Sequence, residues 1–126
     1  ERNNKGETYL HLICKGIKNF NIIELLVKNG VNVNIIDNTF NTPLHYIVDN
    51  HNDYDYHYDN EIKEIVKLLI NHGANLFGIN NKKKNILDKV RSQGMNHFIK
   101  KNYYNKILND FLNKNIANII TNYIYT

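Results

Sequence analysis

Three segments of the chain resemble one another, and this internal repetition limits the possible fold more than any other feature of the sequence. The first parts read NKGETYLHLI from Asn4, NTFNTPLHYI from Asn38 and NKKKNILDKV from Asn81. Each is followed by a second apolar segment: NIIELLVKNGVNVN from Asn21, EIVKLLINHGANLF from Glu64 and a weaker NHFIKKNYYNKI from Asn96. Such repetition is typical of proteins that stack small helical units, because one unit cannot bury its apolar face alone.

The residues within these segments predict paired helices. Thr42 has a hydroxyl that can cap a helix, and Pro43 suits the first helical position, where its missing N–H is not needed. Gly30 and Gly73 stand where the second helix of each pair must stop, which is a common use of a residue that accepts positive φ. Apolar residues at helical spacing are Leu44, Ile47, Ile65, Leu68 and Leu69. The chain is therefore predicted to be all-α.

A known family shares these motifs. The stretch TPLHYI from Thr42 to Ile47 resembles the T-P-L-H-x-A box of the ankyrin-repeat family in its first four positions, and LLINHGAN resembles that family's second signature. Thr8 and Thr42 are 34 residues apart, close to the family period of about 33. The resemblance covers residues 3–101 and implies an ankyrin-repeat solenoid of about three helix-turn-helix repeats with short β-hairpin fingers.

The repeat register predicts how a single domain, residues 1–126, is divided. Repeats are assigned to residues 3–36, 37–79 and 80–101, with a loop insertion at 49–60, because Thr42 and Asn85 are 43 residues apart, about ten more than the family period. Residues 102–126 have apolar side chains at helical spacing. We expect them to form a C-terminal helical cap of one or two helices over the open end of the stack, and a further degenerate repeat is the alternative.

Departures from the family pattern give two further expectations. Gly6 occupies the fingertip of the first repeat, whereas Phe40 and Lys83 occupy the equivalent positions of the other two. Because those residues adopt positive φ less readily than glycine, we predict that their turns are distorted or of another type. The box histidines, His11 and His45, are expected to hydrogen-bond to backbone groups between repeats, as the resemblance implies.

The resemblance implies a non-enzymatic protein–protein interaction module that binds a partner protein through the concave surface of fingers and first helices. The predicted partner-binding residues are Asn38, Thr39, Phe40, Asn41, Asp49, Asn50, Asn81, Lys82 and Lys84. Other exposed positions are expected at Asn4, Lys5, Glu7, Lys15, Ser92 and Gln93. Phe40 is the strongest single contact in this prediction, because large aromatic side chains dominate many interfaces. The alternative is a structural spacer or capping segment of a longer array, with no partner of its own.

The insertion contains the stretch HNDYDYHYDN, residues 51–60, which has no aliphatic residue. Three interpretations stay open: a tolerated surface loop, a secondary partner contact through Tyr54, Tyr56 and Tyr58, or a metal site. Loop length is thermodynamically cheap, and tyrosine-rich loops make good contacts in antibodies. A metal would need fixed ligands among His51, Asp53, Asp55, His57 and Asp59. A loop does not hold ligands rigidly, so no metal site is predicted.

Charge and composition exclude several classes of function. The net charge is +4, and nine Lys or Arg residues stand against two Asp between Lys82 and Lys114. A short lysine run without aromatic stacking platforms attracts nucleic acid only non-specifically, so we expect no nucleic-acid partner. No segment is long and apolar enough to cross a bilayer, and no catalytic or phosphate-binding motif is present. We expect a monomer without enzymatic activity, cofactor, small-molecule substrate or membrane partner.

Two further residues bear on modification and location. LVKNGVNVN, which ends at Asn34, resembles segments that 2-oxoglutarate oxygenases hydroxylate in some ankyrin domains, although it also fits an ordinary finger base. Cys14 is the only cysteine and is expected to be a buried thiol, so no internal disulfide forms and a cytoplasmic or nuclear location is favoured. The biased composition resembles ankyrin proteins of large DNA viruses or intracellular bacteria, which points to a host protein as partner and to the host-cell cytoplasm.

Overall fold

The computed structural model describes residues 1–49 and 56–124, and for residues 56–59 the backbone only. Its helices are α1 (Tyr9–Lys15), α2 (Phe20–Lys28), α3 (Pro43–Asp49), α4 (Tyr56–Asn71), α5 (Ile86–Lys89) and α6 (Gln93–Ile124). They pack in two rows: α1, α3 and α5 form an inner row, and α2, α4 and α6 form an outer row. This is the predicted solenoid of helix pairs.

Local signals explain where the helices begin and end. Thr8 and Asn19 cap α1 and α2 by accepting hydrogen bonds from the first turn of each helix. The predicted stop glycines, Gly30 and Gly73, have φ values of 85° and 90°. The Thr42 hydroxyl pairs with the His45 ring at 2.8 Å, as the Thr8 hydroxyl pairs with the His11 ring at 3.0 Å.

The core lies between the two rows and is continuous along the stack. Leu10 and Leu44 occupy equivalent buried positions in α1 and α3, and Ile86 is the buried residue of α5. The outer row contributes Ile23, Ile65, Val66, Leu69, Ile70, Met95 and Ile99. Because these side chains fill the space between successive repeats, burial ties each helix pair to its neighbours.

The predicted loop at 49–60 is wrong for its last five residues. Helix α4 begins at Tyr56, so residues 56–60 are helical and lengthen the outer helix to 16 residues. The buried residues Ile62, Ile65 and Val66 anchor this helix, and adding turns to a formed helix is far easier than starting one. Residues 50–55, the rest of the insertion, lie outside the described residues.

The C-terminal helices also differ from the prediction. A single helix, α6, runs from Gln93 to Ile124 and joins the third repeat to the expected cap without a break at residue 101. Met95 and Ile99 are its buried residues, and the Tyr103 ring packs edge-on against Phe77. Beyond this point, residues 107–124, which we call distal α6, carry exposed apolar side chains. Distal α6 therefore does not cover the end of the stack.

Two smaller corrections concern the fingers and the end of the third inner helix. The fingers are turns, and no β-strand is present within residues 1–49 and 56–124. Ser92 and Gln93 do not end the inner helix, because α5 stops at Lys89 and the Ser92 hydroxyl accepts from the Met95 amide at the start of α6. Among the helices described, none combines the length and apolar character that a bilayer crossing demands.

Candidate protein-interaction surface

Three turns of the same construction lie side by side, and we call them together the finger row (residues 3–7, 37–41 and 80–84). One side-chain oxygen organises each turn: Oδ1 of Asn3, Asp37 and Asn80 accepts from the backbone N–H groups two and four residues ahead, at 2.8–3.0 Å. A backbone bond from the first to the fifth residue closes every turn at 3.0 Å. Repeated side-chain and backbone bonding fixes the turns without strands.

The tips contradict the expectation of distorted turns. Phe40 and Lys83 have φ values of 62° and 58°, and Gly6 has 74°, so the three tips share one left-handed conformation. Phe40 and Lys83 also donate their N–H groups to the carbonyls of Asp37 and Asn80, as Gly6 does to Asn3. The side-chain bonds of Asp37 and Asn80 hold the turn strongly enough to impose a conformation that bulky residues avoid.

Backbone hydrogen bonds join the turns laterally into one row. The Asn38 N–H donates to the Lys5 carbonyl at 3.0 Å, and the Asn81 N–H donates to the Thr39 carbonyl at 2.9 Å. The first two turns are so close that a Cβ at Gly6 would lie 2.4 Å from the Asn38 side chain. A larger residue at the first tip would therefore have to displace the Asn38 side chain, although the other two tips adopt the same positive φ without glycine.

Buried histidines connect the finger row to the inner helices. Nε2 of His11 lies 2.9 Å from the Asn41 carbonyl, and Nε2 of His45 lies 3.3 Å from the Lys84 carbonyl, in each case on the following repeat. Nδ1 of His45 accepts from the Thr42 N–H at 3.0 Å. This geometry fits a neutral ring with its proton on Nε2, and burial lowers the pKa of His45 in the same sense. The predicted bridging role of both histidines is confirmed.

The third repeat makes a local substitute for this bridge. Asn85 and Asp88 replace threonine and histidine, and each side chain bonds the other residue's backbone N–H, at 2.9 and 3.0 Å. The exchange caps α5 but does not reach toward a following repeat. The two bridging histidines thus lie on the faces that have a repeat beside them.

The acidic side chains of the finger row are withdrawn from its surface. Glu7, predicted to be exposed, is only 4% exposed and accepts from Lys15 at 2.8 Å and from Asn3 at 2.7 Å. The Lys15 hydrogen bond, followed by that of Asn3, lowers the pKa of Glu7. Burial alone would raise the pKa of Asp37, but hydrogen bonds from Tyr46, Thr39 and the turn backbone lower it overall. Both carboxylates therefore accept hydrogen bonds from within the protein and do not face solvent.

The structure brings most of the predicted partner-binding residues together. Asn38, Thr39, Asn81, Lys82 and Lys84 are exposed on the finger row, and Asn41 is half-buried beside them. Phe40 is 53% exposed, a large fraction for an aromatic side chain on a rigid turn. These residues form one continuous surface along the second and third turns.

Other predicted residues lie elsewhere. Asp49 is at the far end of α3, where its carboxylate pairs with Lys89 at 3.6 Å. Asn50 and Tyr54 lie outside the described residues, while Tyr56 and Tyr58 belong to the first turn of α4, which the structure describes by its backbone. The secondary partner contact through these tyrosines stays a prediction.

Asn34 is exposed, but its amide has a structural task. Its Nδ2 donates to the Gly73 carbonyl at 2.9 Å, and its Oδ1 accepts from the Asn75 N–H at 2.8 Å. The side chain thus joins the ends of the first two outer helices. Its hydroxylation stays a prediction.

Two residues of this surface, Lys83 and Tyr46, were not predicted from the sequence to take part in it. Lys83 shares the tip position of Phe40 but was not placed among the partner contacts, although the repeat register puts both at the tip. Tyr46 packs its hydroxyl against Asp37 and its ring beside the Lys15 ammonium, 5.3 Å from the ring centroid. No motif signalled this role, because it depends on the distance between α3 and the second turn.

Two observations bear on catalysis and metal binding in the part of the chain that the structure describes. Cys14 is fully buried, and burial raises the pKa of its thiol to about 12, so it stays protonated at neutral pH. Among the side chains that the structure describes, no group of three histidine, cysteine or acidic residues has the arrangement of a metal site. His51, Asp53 and Asp55 are outside this part of the chain.

A stack of helix pairs with a row of bonded turns defines a helical-repeat protein. The family model described as ankyrin repeats, in three copies, matches residues 1–76. An ankyrin repeat protein of Acanthamoeba polyphaga mimivirus is 33% identical over 89 residues, which cover 71% of this chain and 19% of that relative. The chain belongs to the ankyrin-repeat family. It spans about a fifth of the length of the viral relative that it matches.

Proposed function

We propose that this chain is a non-enzymatic module that binds a partner protein through the finger row and the concave face of the inner helices beside it. Ankyrin repeats are in general protein–protein interaction modules. The observation that carries the proposal is the row of bonded turns that holds Phe40 exposed in a fixed position. A rigid surface binds well because little conformational entropy is lost when the partner docks.

The viral relative supports a more specific proposal about the partner. The similar ankyrin repeat protein comes from a mimivirus, and viruses multiply inside host cells. We therefore propose a host protein as the partner and the host-cell cytoplasm as the place of binding.

The test is a binding measurement with a matched control. Phe40 and Phe111 are both exposed phenylalanines, at 53% and 62%, but Phe111 lies on distal α6. A host protein captured by this chain is purified and titrated against wild type, Phe40→Ala and Phe111→Ala. We expect Phe40→Ala to weaken binding at least about tenfold with little change in melting temperature, because aromatic anchors contribute about 2 kcal/mol or more. Equal binding by wild type and Phe40→Ala contradicts the proposal.

A second candidate function, a stacking unit within a longer array, is favoured by the face of the first repeat that points away from the second. Ile22 and Leu25 on α2 are exposed there, together with Tyr9 and Leu12 on α1. In the second repeat, Ile65 takes the position of Ile22 and is fully buried where α2 packs on α4. The first repeat thus has an apolar face of the kind that another repeat covers, whereas terminal repeats usually present polar residues.

Fusion of an idealised ankyrin repeat before Glu1 tests this second function. Stacking should raise the melting temperature, and Leu25→Glu should remove the gain in the fusion while changing the unfused chain little. If the fusion melts at the same temperature as the chain alone, this face does not serve for stacking.

A further inference from the structure

We propose, on the basis of the function proposed above, that the finger row recognises an acidic segment of its partner that also carries an apolar side chain. The lysines of the second and third turns and Phe40 would bind the two kinds of group. Three independent observations support this assignment: the distribution of charge, the strained tips and the fixed spacing of the row.

The first observation is that the finger row presents positive charge alone. Lys5, Lys82, Lys83 and Lys84 are exposed, whereas the two acidic residues of the row, Glu7 and Asp37, are buried in the turns. In the part of the chain that the structure describes, no carboxylate forms an ion pair with any of these four lysines. A surface of one sign attracts the opposite sign and repels basic partners.

The second observation is the residue choice at the tips. Gly6 shows that this turn accepts glycine, yet the second and third turns place Phe40 and Lys83 in the left-handed region. A residue other than glycine is unfavourable there, and such strain is concentrated at functional positions. Phe40 is half exposed, and the Lys83 side chain is exposed, so neither side chain is needed to fill the core.

The third observation is that the backbone positions that carry the aromatic and the charged residues are fixed relative to each other. The second and third turns are bonded through Asn81 to Thr39 and through the Asn80 side chain, which donates to the Asn41 amide oxygen at 3.0 Å. Phe40 therefore keeps a constant place next to the lysines of the third turn. A segment with carboxylates beside an apolar residue matches this pattern, because each lysine ammonium pairs with a carboxylate and Phe40 covers the apolar group.

Nucleic acid fits the same surface less well. Single strands are held by several aromatic platforms on which successive bases stack, and the finger row carries one aromatic residue, Phe40. The lysines alone would give attraction without selectivity. An acidic protein segment uses both the charges and the aromatic ring.

The first experiment selects ligands without assuming a sequence. A random peptide library displayed on phage is panned against the full chain, and the enriched peptides are synthesised and titrated. We expect enriched peptides with net negative charge and at least one large apolar residue, and binding that weakens as salt rises to about 0.15 M and beyond. Fluorescent single-stranded DNA of mixed sequence is titrated in parallel, and tighter binding of DNA than of the peptides overturns the proposal.

The second experiment compares two lysines that share backbone strain. Lys83 is at the third tip, and Lys18, with φ of 52°, is in the turn between α1 and α2, at the other end of α1. Lys83→Gly and Lys18→Gly remove the same charge and relieve the same kind of strain, so both should raise the melting temperature by a few degrees. Lys83→Gly should weaken peptide binding several-fold, while Lys18→Gly leaves it unchanged. Equal binding by both variants overturns the proposed role of Lys83.

Charge reversal separates this inference from the proposed function. The double variant Lys82→Glu, Lys84→Glu should lower affinity for the enriched peptides at least about tenfold, the scale of a disrupted charge contact. Its control, Lys100→Glu, Lys101→Glu on α6, makes the same change in net charge. If Phe40→Ala weakens binding but neither double variant does, the proposed function stands and the acidic partner is wrong. If no finger-row variant weakens any peptide, the proposed function fails as well.

Discussion

The finger row and distal α6 both expose large side chains but are built in opposite ways. The finger row is polar, and hydrogen bonds within and between its turns engage nearly every backbone N–H group. Distal α6 is part of one continuous helix and exposes apolar residues such as Leu112 and Ile116. The finger row is thus fixed by hydrogen bonds between neighbouring repeats, which distal α6 does not have within the part of the chain that the structure describes. A fixed binding surface forms where neighbouring repeats are joined by hydrogen bonds, and exposed apolar side chains alone do not provide one.

The largest expected effect compares two leucines, one in the stack and one in distal α6. Leu69 is fully buried in α4, and Leu112 is exposed. Leu69→Ala should lower the free energy of unfolding by about 2–5 kcal/mol, because it leaves a cavity among packed side chains. Leu112→Ala should change it by less than about 0.5 kcal/mol. Urea unfolding of both variants measures the difference, and a large loss in Leu112→Ala would mean that distal α6 is packed in solution.

A smaller effect is expected from the bridge between the second and third turns. His45→Ala removes the partner of the Thr42 N–H and of the Lys84 carbonyl. The free energy of unfolding should fall by about 1–3 kcal/mol, the usual result when buried polar groups lose their partner. Asp88→Ala, which breaks only the local cap of α5, should lose about 1 kcal/mol or less. Equal losses of stability in the two variants would show that the histidine bridge stabilises the fold no more than the cap of α5 does.

A still smaller effect is the pH dependence of the same bridge. Burial lowers the pKa of His45 below its ordinary value of 6.5, so the unfolded chain binds a proton there more readily than the folded chain. This contribution to stability is present above about pH 6.5 and is lost as the pH falls through the folded-state pKa. Glu7 has an ordinary pKa of 4.5, lowered in the fold, so its contribution is lost only at more acidic pH.

Urea unfolding between pH 7 and pH 5 tests the assignment. Wild type should lose stability over this range, and His45→Ala should lose clearly less, because it has no ring to protonate. Parallel curves for the two proteins would assign the pH dependence to another group.

The parts of the fold that the sequence predicts depend on interactions within a few residues. The parts that it does not predict depend on how one element packs on another. Pro43, Gly30 and Gly73 act within one turn of helix, so the sequence could place the helix pairs and their ends. The continuity of α6 also had a local signal that was overlooked, since neither glycine nor proline occurs after Gly94 to interrupt a helix. The exposure of distal α6 had no such signal, because spacing defines an apolar face but not what covers it.

The candidate surface likewise has one part that the sequence predicts and another part that it does not. The repeat register placed Phe40 and Lys82 on the finger row, but the conformation of the tips depends on bonds that Asp37 and Asn80 make across each turn. The burial of Glu7 likewise depends on Lys15, a residue eight positions away on α1. Such contacts follow from the packing of one element on another, and neither composition nor spacing reveals them.

Chemical-shift mapping of the full chain by NMR, with an enriched acidic peptide, shows most directly whether the finger row is the binding surface. Binding should perturb the amides of residues 38–41 and 81–84 together with those of the inner helices next to the finger row, and should leave distal α6 unchanged. Phe40→Ala should reduce these perturbations at the same peptide concentration. Shifts confined to residues 107–124, with the finger row unaffected, would contradict the central claim that the bonded turns are the binding surface.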